Sequence, residues 1–141
     1  VLMAEEKRLE FHLDCPPTLP NWLMLDGVRL NQILWNLITN AVKFTQQGSV
    51  TLSVEQIANN EFAIRVTDTG IGIGKADLEK IFELYYQVSS NRNKSLGSGI
   101  GLSVSKAIAQ LMGGDLTVTS KMGQGSTFLL TFKAEEAFRP S

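Results

Sequence analysis

A single cysteine, Cys15, leaves this chain of 141 residues without an internal disulfide, a usage that fits a reducing compartment. Cys15 stands before Pro16-Pro17 at an expected strand end and reads as structural rather than reactive. With one Cys and one His, His12, there is no Cys/His cluster to hold a metal ion. A surplus of charge is missing too. Thirteen basic and 14 acidic residues leave a net charge of −1, which gives no broad electrostatic case for a nucleic-acid partner. No apolar run approaches the roughly 20 residues that span a bilayer. Val1–Glu10 carries Glu5, Glu6, Lys7, Arg8 and Glu10 and lacks the apolar centre of a signal peptide. The expectation is a soluble segment with no direct membrane contact of its own, whatever anchors a parent protein.

What is present is core-forming material: 43% of the residues are hydrophobic, which suits one ordered domain and argues against disorder. Leu9–Asp14 alternates as a strand, and Pro16, Pro17 and Pro20 enforce an extended connection. Asp26 reads as the N-cap of a long helix reaching about Lys43, in which Leu30, Ile33, Leu34, Leu37, Ala41 and Phe44 keep helical spacing. Gln46-Gln47-Gly48 ends it. Val50–Ile57 and Phe62–Thr67 alternate as strands about an Asn59-Asn60 turn. Lys75–Leu84 suits a short helix, Gln87–Gly99 a mobile loop, and Ile100–Met112 a second amphipathic helix stopped by Gly113-Gly114. Asp115–Ser120 and Ser126–Lys133 are two further strands joined at Gly123–Gly125. The pattern predicts an α/β two-layer sandwich, a mixed sheet with helices on one face. It divides as a linker end at 1–8, one domain at 9–133 and a tail or linker at 134–141.

Four segments carry candidate chemistry. The long helix has a polar stripe of Gln32, Asn36, Thr39, Asn40 and Lys43. Asn36 and Asn40 offer two carboxamide oxygens on one side of the helix, a donor type that suits Mg²⁺, and Lys43 one turn on could meet a phosphate as a point charge. Taken alone, the stripe is better read as a solvated helix face. Asp68-Thr69-Gly70-Ile71-Gly72-Ile73 follows a strand: the carboxylate can accept a hydrogen bond from an exocyclic amine, and the glycines allow close backbone approach. An ordinary turn is the alternative. Gly97-Ser98-Gly99-Ile100-Gly101-Leu102 opens a helix, where unpaired amides favour an anion. It has neither the Walker A lysine nor a preceding strand of the dinucleotide-binding type. Gly123-Gln124-Gly125-Ser126-Thr127-Phe128 alone reads as a hairpin turn entering a strand.

Together, the order and spacing of these segments are specific. Asn36-Leu37-Ile38-Thr39-Asn40-Ala41-Val42-Lys43-Phe44-Thr45 resembles the N box of sensor histidine kinases. Asp68–Gly72 resembles their first glycine box, Ile81–Gln87 their F box, and Gly97–Leu102 their second glycine box. Gly113-Gly114 with Gly123–Phe128 resembles their closing segment. The resemblance runs from about Glu10 to Phe132, and Gln32–Gln47 with Tyr85–Val88 is closest in wording to the hybrid sensors. It implies the Bergerat ATP-binding sandwich shared with DNA gyrase, a heat-shock chaperone and mismatch-repair ATPases. By position it implies Asn40 as the Mg²⁺ ligand with Asn36 assisting, and Lys43 at a phosphate. Asp68 would take the adenine amine, with Thr127 nearby through water. Gly70, Gly72, Gly99 and Gly101 would line the nucleotide, joined by Phe44, Ile73, Tyr86, Gly97, Ser98, Ile100 and Leu102. Gln87–Ser98 would be a lid from which Arg92 or Lys94 reaches the γ-phosphate, a solvated loop being the alternative for those two. Leu84 and Tyr85 stand where many members have proline and phenylalanine, which bears on F-box packing. Ser98 replaces the commoner threonine.

Hydrolytic members of that superfamily carry a glutamate one helical turn before the Mg²⁺ asparagine, where this chain has Asn36. An amide cannot take a proton at neutral pH, so the water-activating base is missing, whereas a phosphoryl donor needs chiefly positioning and charge neutralisation. The resemblance thus implies a protein histidine kinase domain of a two-component system. It would bind ATP and Mg²⁺ and donate the γ-phosphoryl group to a histidine on a separate dimerisation and phosphoacceptor domain of the same kinase. Receiver and phosphotransfer domains are further expected partners. The domain would be cytoplasmic and the parent anchored in the bacterial inner membrane. His12 lies in a strand, outside any phosphoacceptor-like context, and Val1–Arg8 would trail from acceptor helices. A gyrase-type ATPase and a binding-only regulatory module are the rival classes.

Overall fold

The computed structural model describes residues 10–14, 23–24, 27–45, 48–83 and 101–136. In chain order these form β1 (Glu10–Asp14), β2 (Leu23–Met24), α1 (Gly27–Phe44), β3 (Ser49–Ala58), β4 (Glu61–Asp68), α2 (Lys75–Leu78), α3 (Gly101–Leu111), β5 (Asp115–Lys121), β6 (Gly125–Lys133) and β7 (Glu135–Glu136). A five-stranded sheet has the order β1-β3-β4-β6-β5. Its β1–β3 pairing is parallel and its other pairings are antiparallel, so the sheet is mixed as expected.

Strand alternation sends Val50, Phe62, Ile64, Val66, Leu116, Phe128, Leu130 and Phe132 to one face. There they pack with Ile33, Leu37, Ala41 and Val42 of α1 and with Ile108 and Ala109 of α3 in a single buried cluster. Full burial of side chains of this size contributes roughly 1.5–3 kcal/mol each, which is what fixes the helices on this side. The other face is polar. Thr51, Thr67, Thr127 and Thr119 lie side by side across four strands of it.

The C-terminal ends of α1 and α3 are chemically closed. Thr45, fully buried, donates its hydroxyl to the Ala41 carbonyl at 2.8 Å after the last turn of α1. At the end of α3 the Gly113 amide donates to Gln110 O and the Gly114 amide to Ala109 O, a Schellman closure. Asn60 takes φ 60° in the β3–β4 turn, a left-handed position that asparagine tolerates.

Three local differences from the sequence expectations have physical causes. The short helix stops at Leu78 rather than Leu84. The chain continues in tight turns, with the Lys80 amide bonded to Asp77 O and the Glu83 amide to Lys80 O, both at 2.9 Å. Ala134, expected in the tail, is buried, and its amide donates to Asn60 O. The next two residues pair with β2 as a small antiparallel sheet that neither segment's sequence signals. The expected Asp26 cap, the Gln46-Gln47 turn and the Gln87–Gly99 loop lie outside the described residues. Among the described residues no helix is long and apolar enough to cross a membrane.

Candidate functional site

The polar stripe of α1 meets the start of α3. Asn36 Nδ2 donates to the Gly101 carbonyl at 3.3 Å and to Ser105 Oγ at 3.0 Å. A backbone carbonyl can only accept, so the amino group of Asn36 must face α3, and its Oδ1 is the atom left over. Asn40 and Lys43 follow on the same helix, both half-buried. Asn40 makes no hydrogen bond among the described residues, while Lys43 is engaged with its surroundings. Burial pushes the Lys43 ammonium below the usual lysine range.

The second pair of motifs joins across the sheet. Asp68, buried at the end of β4, lies opposite Ser126 in the β4–β6 register. Asp68 Oδ1 accepts from the Gly70 amide at 2.9 Å and from the Ser126 amide at 3.2 Å. Burial pushes the carboxyl above the ordinary aspartate range, and these two amides pull part of that rise back. The loop after Asp68 then rests on the β5–β6 hairpin. The Gly123 amide donates to Ile71 O at 2.9 Å, and the Ile73 amide to Ser120 Oγ at 2.7 Å. Ser120 Oγ in turn meets Ser126 Oγ at 2.7 Å.

The glycines at this joint answer to the protein's own packing. A Cβ on Gly72, whose φ is +77°, would lie 2.2 Å from Lys121 O. One on Gly125 would lie 2.0 Å from Asp68 O. Each substitution would force backbone apart where strand and loop touch. At Gly72 the protein's own packing is enough to require glycine, whatever else the loop lines. Gly101 differs, since a Cβ there would make ordinary contact with the Asn36 amide at 3.4 Å.

Strand and loop geometry places two further expected site residues. Thr127 and Asp68 line one cavity at the hairpin end of the sheet. The Thr127 hydroxyl meets Thr67 Oγ1 at 3.2 Å on the polar face, and neighbouring strand residues point to opposite faces. The residue beside the carboxylate is Ser126, which register alone identifies. Ile73 is 3% exposed and belongs to the core cluster, so its side chain supports the loop. Leu102 is partly buried against the same cluster. Tyr86, Arg92, Lys94, Gly97, Ser98, Gly99 and Ile100, and the side chain of Phe44, lie outside the described residues.

Sequence patterns also missed Lys106. Its Nζ bonds Asp115 Oδ1 at 3.0 Å and Leu116 O at 2.8 Å and sits 4.7 Å from the centre of the Phe82 ring. Phe82 packs edge-on against Phe128. Burial works to raise the Asp115 carboxyl, but the Leu116 amide and Lys106 outweigh it and hold it below the ordinary range. The cavity at the hairpin end of the sheet, of about 320 Å³, has Thr67, Asp68, Thr119, Lys121, Ser126 and Thr127 in its lining. No residue of α1 lines it, so it is distinct from the surface of Asn36, Asn40 and Lys43.

The family model for histidine kinase-, DNA gyrase B-, and HSP90-like ATPases matches residues 25–136. The aerobic respiration control sensor protein ArcB of Escherichia coli is 51% identical over 135 residues, which cover 94% of this chain and 17% of that protein. The autoinducer 2 sensor kinase/phosphatase LuxQ of Vibrio vulnificus is 41% identical over 140 residues, covering 95% of this chain and 16% of the relative. The crystal structure of full-length ShkA in complex with AMPPNP superposes with a TM-score of 0.85 at 33% identity, over 99% of this chain and 28% of that one. The chain therefore spans less than a fifth of the length of these two sensor relatives.

Proposed function

This chain belongs to the histidine kinase-, DNA gyrase B-, and HSP90-like ATPase family, and we propose that it is the ATP-binding catalytic domain of a hybrid sensor histidine kinase. The observation that carries the reading is the contact of Asn36 with Gly101. It joins the amide stripe of α1 to the glycine that opens α3, 65 positions away. The full-length ShkA neighbour was solved with the nucleotide analogue AMPPNP, which supports nucleotide binding by the same fold here.

The residues present fit Mg²⁺. Asn36 has an uncommitted carboxamide oxygen because its nitrogen makes both hydrogen bonds, and Asn40 offers a second one turn along. These are hard oxygen donors of the kind Mg²⁺ takes alongside water and phosphate. When bound, the ion neutralises phosphate charge. Lys43 adds positive charge on the same helix. Asp68 has one oxygen tied to Gly70 and Ser126, leaving Oδ2 to accept from the adenine amine. Asn36 cannot serve as a base for water, so the domain holds a phosphoryl donor rather than hydrolysing it.

The acceptor is a histidine on the dimerisation and phosphoacceptor domain of the same kinase. His12 is exposed in an edge strand, 3.3 Å from Glu10, a poor setting for that role. Receiver and phosphotransfer domains are the further partners. The domain works on the cytoplasmic side of a parent anchored in the bacterial inner membrane. Calorimetry with ADP, with Mg²⁺ or with EDTA, tests the reading: Mg²⁺-sensitive binding is expected, and no binding at millimolar nucleotide overturns it.

A further inference from the structure

We propose that Ser105 is a positioning residue that holds the metal-facing carboxamide of Asn36 in place against α3, an inference that rests on the Mg²⁺-nucleotide reading above. Ser105 is fully buried, in the second turn of α3. Its hydroxyl lies one helical turn beyond the Gly101 carbonyl, so the two acceptors stand on one face of α3. Both accept from a single amino group: Asn36 Nδ2 reaches Ser105 Oγ at 3.0 Å and Gly101 O at the longer distance of 3.3 Å.

A carboxamide has two faces of similar shape, and its orientation is decided by its partners. The Gly101 carbonyl can only accept, so the nitrogen turns to α3 and Oδ1 turns away from it. Ser105, whose hydroxyl suits either end of the amide, makes the shorter of the two bonds and tightens the orientation that the carbonyl selects. Without its hydroxyl the amide keeps one long bond, and its oxygen is held less firmly toward a cation. The same geometry discriminates against an acid at position 36, because a carboxylate has no hydrogen to give the Gly101 carbonyl and would oppose it. The first turns of α3 thus form a template that accepts an amide at position 36 and aims its oxygen.

The test is a double-mutant cycle read by calorimetry: ADP affinity with Mg²⁺ and with EDTA, in wild type, Ser105→Ala, Asn36→Ala and the double variant. The quantity compared is the enhancement of affinity by Mg²⁺. Loss of one hydrogen bond predicts that Ser105→Ala lowers this enhancement by about three- to tenfold, while the EDTA affinity stays within about twofold of wild type. Because Ser105 acts through Asn36, Ser105→Ala should change nothing further once Asn36 is alanine. Should the buried alanine prevent folding, Ser105→Cys keeps the volume with a weak acceptor and replaces it in the cycle. An unchanged enhancement in the Ser105 variant overturns the proposal, as does a parallel fall with and without Mg²⁺ or an additive loss in the double variant. Wild-type protein that binds no nucleotide refutes the function instead, and wild-type binding indifferent to Mg²⁺ refutes the metal site.

Discussion

Asp68→Asn separates the structural bonds of this side chain from its proposed contact with adenine. In the wild type Oδ1 accepts two backbone amides, from Gly70 and Ser126, at 2.9 and 3.2 Å. Asparagine can keep both bonds only by leaving its oxygen in that position. The new NH₂ group is thereby forced into the place of Oδ2, where it would oppose the adenine amine, donor against donor. An unsatisfied buried polar contact costs roughly 1–3 kcal/mol, which corresponds to about five- to hundredfold in affinity. The fold should not share that loss. Burial disfavours the Asp68 carboxylate, so a neutral amide with the same two bonds leaves thermal stability unchanged or slightly raised. The assay pairs ADP calorimetry with thermal unfolding of the same samples. Affinity that holds within twofold in a variant of normal stability would falsify the adenine role, and a joint loss of stability and binding would show that Asp68 is chiefly structural.

Nucleotide affinity should fall as pH drops through the raised Asp68 pKa, starting above the range of an ordinary aspartate; the same titration on Asp68→Asn should lack that step. The sign for stability is opposite at the two perturbed carboxyls. Asp68, raised in the fold, gains stability as pH falls through its folded pKa. Asp115, held low by the Leu116 amide and Lys106, contributes stability above its unfolded pKa that is lost as pH falls through the folded one, and Lys106→Met should flatten this acid limb in thermal melts. Gly72→Ala should destabilise by about 1–3 kcal/mol in denaturant unfolding, since it combines a positive φ with a Cβ forced onto Lys121 O. Incubated alone with γ-labelled ATP, the chain should neither label itself nor release phosphate quickly, yet it should label a separately added phosphoacceptor domain. Rapid phosphate release abolished by Asn40→Ala would make it an ATPase.

The parts of the fold that the sequence foretells are those with a period. Ile33, Leu37 and Ala41 repeat at helical spacing and are buried. Val50, Phe62–Thr67 and Phe128–Phe132 alternate and form the sheet. The β2–β7 pair escapes because two-residue strands have no period to read. Ser126 escapes for another reason: which of two adjacent hydroxyl residues faces Asp68 depends on strand parity across a register that no single strand contains. Ser105 reads as an ordinary small residue on the buried side of α3 until α1 is laid beside it. The amide stripe and the Asp68 loop were legible as chemistry, but their neighbours were not, because Asn36 meets Gly101 and Asp68 meets Ser126 only through long-range packing.

The β4–β6 register also has a consequence for how the protein acquires its shape. β3–β4 and β5–β6 are local hairpins, of a kind that closes in about 1–10 μs. Their union at β4–β6 pairs residues such as Asp68 and Ser126 that lie 58 positions apart, and such non-local closure is slow because chain entropy is lost before contacts form. The hydrogen bond from the Ser126 amide to Asp68 spans this late seam. Neither hairpin alone contains the Asp68–Ser126 arrangement, so on the proposed reading a partly folded chain has little to offer a nucleotide. Ligand binding is therefore coupled to completion of the whole sheet, and nucleotide at a hundred times its Kd adds about 2.7 kcal/mol to the free energy of global unfolding.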